Sequence, residues 1–130
     1  MAIVEWKDEY SVGVAMIDED HKELLRLIGE LTQAISSDPA DAPRLCDALI
    51  EHTLAHFNHE EQWFETLNYP QADQHRRMHQ KLKQRLVEYR SQLDLAPATG
   101  PLALFTDYLA HHITGADRSY GAWLNAQGIH

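Results

Sequence analysis

Residues 56–79 read His-Phe-Asn-His-Glu-Glu-Gln-Trp-Phe-Glu-Thr-Leu-Asn-Tyr-Pro-Gln-Ala-Asp-Gln-His-Arg-Arg-Met-His. The one break in this stretch is Asn68-Tyr69-Pro70. Before it, His56, Glu60, Trp63, Phe64 and Leu67 recur at spacings of three and four, which puts them on one helix face. After it, His75, His79, Leu82, Leu86, Tyr89 and Leu93 do the same. Two long helices joined by so short a break must lie side by side and antiparallel. Both faces carry histidine or glutamate where a core helix would carry leucine.

Working outward, Ser36–Pro43 and Asp94–Pro101 are loops rich in Pro, Asp, Ala and Ser. They bound two more helices. The predicted spans are 19–36, 43–67, 70–93 and 101–124. Pro43, Pro70 and Pro101 each suit a first helical turn, where no N–H partner is lost. Asp18 and Asp41 are the expected N-caps. No β-rich segment intervenes, so the expected fold is all-α: an up-down-up-down antiparallel four-helix bundle over residues 18–125. Residues 1–17 hold Ile3, Val4, Trp6, Tyr10, Val12, Val14 and Met16 without helical period. They read as an extended N-terminal arm packed on the bundle, and residues 1–130 read as one domain.

The first helix contributes His21, Leu24, Leu25, Ile28, Leu31 and Ile35 to the core. The second also supplies Leu45, Leu49 and Thr53, and the fourth supplies Phe105, Leu109, His112, Ala116, Tyr120 and Trp123. Trp63, Tyr89 and Trp123 read as packing residues. The interruptions fall together: His21 near the start of the first helix, His56 and Glu60 near the end of the second, His75 and His79 near the start of the third, and His112 and Asp117 near the end of the fourth. At 1.5 Å per residue, all seven sit roughly 4–20 Å from one end of the bundle. Asp117 is five residues after His112, about 140° around an ideal helix, so a π-type turn near Gly115 is expected to bring the two together. His52, His59, His111 and His130 read as surface or flanking residues, with His52 one turn above His56.

A buried carboxylate costs several kcal/mol unless it is compensated. Basic side chains are missing from these stripes, so Lys and Arg are not the partners. A buried polar network is the plain alternative. Metal ions answer better, and imidazole-rich donors suit first-row transition metals, whereas Mg²⁺ and Ca²⁺ prefer oxygen alone.

Composition sets the outer limits. The chain has 130 residues, 20 acids against 11 bases and a formal charge of −9, which argues against nucleic acid and anionic membranes as partners. Its hydrophobic content of 44% is that of a folded chain. No apolar run is long enough to span a bilayer, no signal peptide is visible, and Cys46 has no second cysteine to pair with. A cytoplasmic protein is expected, with Cys46 an inert helix residue.

These residues resemble the hemerythrin family, in particular its single-domain bacterial members. The resemblance rests on Asp18-x-x-His21, His56-Phe57-x-x-Glu60-Glu61, His75-x-x-x-His79 and His112-Ile113-x-x-x-Asp117, in the family's order and across nearly the whole chain. Phe64 stands where the family often has Met, and Leu82 where an aromatic is common; both alter packing alone. The resemblance implies a non-haem di-iron site with an oxo or hydroxo bridge. In it His75, His79 and His112 hold one iron, His21 and His56 the other, and Glu60 and Asp117 bridge them. That donor set leaves one octahedral position open, on the two-histidine iron, for dioxygen. Leu24, Leu25, Ile28 and Leu109 are expected to wall that position against water.

Reversible dioxygen binding is therefore the expected function, without catalysis. A sensor acting through a separate partner and a di-iron oxidase, peroxidase or NO-detoxifying enzyme are the alternatives. Ferritin-like oxidases use Glu-x-x-His pairs, and this sequence contains none. Zincin chemistry is excluded because His59-Glu60-x-x-Trp63 lacks the second histidine.

Overall fold

A computed structural model of the chain describes residues 5–95 and 99–130. The helices are α1 (Ala15–Ser37), α2 (Ala42–Leu67), α3 (Ala72–Leu93), α4 (Gly100–His112) and α5 (Arg118–Ala126). A π-helical turn, Ile113–Asp117, joins α4 to α5 and makes them one continuous rod, the fourth of the bundle. Cross-helix pairs give the directions. Asp47 meets Arg90 at one end of the α2–α3 seam and Glu61 meets His79 at the other, so these helices run antiparallel. Arg85 with Tyr108 and His75 with His112 give the same sense for α3 and the fourth rod.

The helix starts differ from expectation for local reasons. α1 begins at Ala15, four residues before the expected start, so only residues up to 14 remain as arm. Asp18 is thus inside the first turn rather than at its cap, and its carboxylate accepts the Ser11 hydroxyl at 2.5 Å and the Val12 N–H at 2.9 Å. Asp41 flanks α2 but makes no capping bond; Arg44 takes its carboxylate instead. α3 starts at Ala72, because Asn68 adopts a left-handed conformation (φ 56°) and Tyr69–Gln71 complete the turn. Ile3 and Val4 of the expected arm lie outside the described residues. The rest of the arm has a short 3₁₀ turn at Asp8–Tyr10 and a bend at Gly13, where φ is 79°.

Two apolar clusters fill the interior. The larger runs down the bundle and contains Leu24, Ile28, Leu31, Leu49, Phe57, Leu86, Leu102, Leu109 and Ile113. The smaller closes the other end with Val12, Val14, Ile17, Phe64, Tyr69, Tyr120 and Leu124. The arm belongs to this second cluster. It crosses so close to α5 that a Cβ on Gly121 would lie 2.0 Å from the Val12 carbonyl oxygen, so only glycine fits there. A polar layer lies between the clusters. No helix among the described residues is long and apolar enough to cross a membrane.

Candidate metal centre

His21, His56, Glu60, His75, His79, His112 and Asp117 come together in that layer, and all are buried, with His112 the most exposed at 8%. α1 delivers His21, α2 His56 and Glu60, and α3 His75 and His79, each pair one turn apart on its helix. The π turn solves the spacing problem in the fourth rod. Its extra residue rotates Asp117 back onto the face of His112, so their Oδ1 and Nε2 are 3.1 Å apart.

The donor atoms form two groups. His75, His79, His112 and Asp117 place one ligand atom each within 4.8 Å of one another, and so do His21, His56 and Asp117. Asp117 divides its carboxylate between them. Oδ1 is 2.8 Å from His75 Nε2, while Oδ2 is 3.1 Å from His21 Nε2. Glu60 completes neither group but sits between them: its Oε1 is 3.1 Å from His56 Nε2 and 3.3 Å from His79 Nε2.

Hydrogen bonding, present between His21 and His56 and between His75 and His112, accounts for only part of this arrangement. Both Glu60 oxygens, Asp117 Oδ1 and His79 Nε2 are buried without a hydrogen-bond partner. Close contact without hydrogen-bond alignment is what donors show when they aim at a common point rather than at each other. Nε2 of His21 and His56 lie 3.1 Å apart, as do Nε2 of His75 and His112. Ligand bonds of about 2.1 Å at right angles would separate neighbouring donors by about 3.0 Å. The donor set therefore fits two six-coordinate transition ions, such as the two irons the resemblance implies. Among the described residues, no lysine or arginine pairs with Glu60 or Asp117 to offer another form of charge compensation.

Electrostatics point the same way. Burial pushes the His56 ring toward its neutral form, but Glu60 and Asp20 outweigh it and hold its pKa up to about 10. Burial likewise raises Asp117, yet His112, His21 and His75 keep its carboxyl well below the usual range. The layer is thus a set of buried anions held by imidazoles, ready to exchange protons for metal cations.

Three features escaped the sequence reading. The Asp20 carboxylate accepts His56 Nδ1–H at 2.9 Å, and Glu61 accepts His79 Nδ1–H at 3.2 Å. Each fixes a ring so that Nε2 faces inward. Both are sequence neighbours of a predicted ligand and lie about 100° from it, toward the adjacent helix; that offset is the signal that could have found them. His79 is also stacked flat on Phe57, with ring centroids 3.9 Å apart. His59, 53% exposed, reaches Asp20 at 3.5 Å, so it flanks the site. Leu24, Leu25, Ile28 and Leu109 are all buried.

Comparison with known proteins gives a consistent result. The family profile described as hemerythrin HHE cation binding domain matches residues 12–124. A bacteriohemerythrin of Stenotrophomonas maltophilia is 27% identical over 97% of this chain and 84% of its own length. A myohemerythrin of Sipunculus nudus is 28% identical over 88% of each chain. A solved wild-type hemerythrin superimposes with a TM-score of 0.84 at 23% identity, covering 93% of this chain and 97% of its own. With a matching family profile that spans the four-helix bundle and all seven buried donors, this chain belongs to the hemerythrin family.

Proposed function

We propose that the chain binds dioxygen reversibly at two irons, as a carrier or store rather than as a catalyst. In this reading His75, His79 and His112 would hold one iron and His21 and His56 the other, with Glu60 and Asp117 placed to serve both. The observation that carries it is the division of the Asp117 carboxylate between two histidine groups of unequal size. Unequal groups would supply one metal with fewer protein ligands than the other, and a small molecule could enter and leave there. When bound, the irons supply the electrons that hold dioxygen reversibly.

The protein's own part is to keep the donors fixed and the surroundings dry. Asp20 and Glu61 hold the rings of His56 and His79 in place. Phe57 and Phe64 flank His79, so that ring is packed as well as bonded. Leu24, Leu25 and Leu109 pack one turn from the donors on their helices and Ile28 two turns from His21, and together they keep water and protons away from the open position. No side chain in the layer is left free to serve as a general acid or base, since every ring and carboxylate is assigned to metal holding.

The test is the ultraviolet–visible spectrum of iron-loaded protein, cycled between reduced, air-exposed and deoxygenated states. Bands that appear in air and vanish on deoxygenation, over repeated cycles, support the carrier reading. One-way oxidation on first exposure to air overturns it in favour of an oxidase or peroxidase.

A further inference from the structure

The seam between α3 and the fourth rod is incompletely filled. Two contiguous hollows of about 410 Å³ each open along it, and both are lined by Met78, Gly115 and Ala116. The π turn creates this space by presenting its smallest residues toward α3. Nothing in the packing requires a glycine there: a Cβ on Gly115 would meet no atom within 4 Å. The hollow nearer α4 is walled by Leu82, Tyr108 and the outer face of His112, with Lys81, Arg85 and His111 around its mouth. Its size falls within the usual range for small-molecule sites, about 300–1,000 Å³.

Charge indicates what this hollow would select. The protein carries 20 acids against 11 bases, and Arg26, Arg44, Arg76 and Arg90 each reach a carboxylate. Lys81 and Arg85 have no carboxylate partner among the described residues. Arg85 lies instead over the ring of Tyr108, 3.9 Å from its centroid, which forms a flat plate with a free positive edge. An apolar hollow rimmed by uncompensated cations selects a ligand with an apolar body and an anionic group. The plate favours a flat body over a branched one.

We propose that this hollow is a binding site for a small aromatic anion, seated between Met78 and the Arg85–Tyr108 plate and packed against the outer face of His112. The proposal stands whether or not the irons bind dioxygen reversibly, because the hollow touches the donor layer through His112 alone and its other lining residues lie outside that layer.

The probe is 2-naphthoate, with 2-naphthalenemethanol as its neutral counterpart, titrated into iron-loaded protein by calorimetry. One naphthoate per chain is expected, with the neutral compound at least tenfold weaker. Lys81→Glu should weaken naphthoate at least tenfold, and Lys83→Glu, elsewhere on α3, should not. Gly115→Leu should fill the hollow and abolish binding, with iron content measured to verify that the layer is intact. Should Gly115→Leu disturb the fold, Lys81→Glu still decides, since that side chain is exposed. Equal binding of the two compounds, or binding unaffected by Lys81→Glu, overturns the proposal, as does the absence of binding at millimolar probe.

Discussion

Leu109→Ala tests whether the apolar wall guards the open metal position or only packs the bundle. Leu109 is 2% exposed and belongs to the large apolar cluster, one turn before His112 on α4. Truncating a leucine this buried loses its transfer energy and leaves a cavity, together costing about 2–5 kcal/mol. For a chain of this size that lowers Tm by on the order of 10 °C. No metal donor is removed, so two irons should still bind. The new cavity adjoins the donor layer, and water entering it would bring protons to the open position. Oxygenated protein should therefore oxidise irreversibly faster than wild type. Urea unfolding measures the first effect, and the decay of the oxygenated spectrum, with iron content checked in both proteins, measures the second. If stability falls as expected but the decay rate is unchanged, Leu109 fills the bundle and does not guard the site.

Three further outcomes are expected. Glu60→Ala should lose iron far more readily than Glu61→Ala, because Glu60 is 1% exposed between both histidine groups whereas Glu61 meets the outer nitrogen of His79 and the Arg76 guanidinium, away from the inward-facing donor atoms; equal iron content in the two variants would reject this ranking. Loading iron at neutral pH should release protons, because Glu60 and Asp20 hold His56 protonated up to about pH 10 and a metal displaces that proton; calorimetry in buffers of different ionisation enthalpy counts them, and a buffer-independent heat would contradict it. Cys46 is fully buried and burial pushes its thiol up to about 11, so it should resist thiol reagents at pH 8 in the native protein and react on unfolding; prompt native labelling would show that the larger core opens.

The helical rods were legible because their periodicity is strong and their loops are marked by proline. The depth of His21, His56, His75 and His112 could be read for the same reason: in an antiparallel bundle, distance along the chain converts directly to height. Asp117 was readable only by invoking a departure from the α-helix, and the π turn at Ile113–Asp117 supplies it. Helix starts were less legible. Asp18 and Asp41 have the chemistry of N-caps, but Asp18 is claimed by the arm and Asp41 by Arg44, and sequence shows neither competitor. Asp20 and Glu61 escaped because their roles depend on which helix stands next to theirs. The hollow beside Gly115 could not be seen at all, since a glycine that nothing crowds looks in sequence like one that packing demands.

The most direct test of the central claim is a crystal structure of the iron-loaded protein with anomalous scattering recorded at the iron edge. Two peaks are predicted in the buried layer, one among His75, His79 and His112 and one beside His21 and His56, with Asp117 and Glu60 reaching both. A single peak, or iron bound outside this layer, would contradict the account.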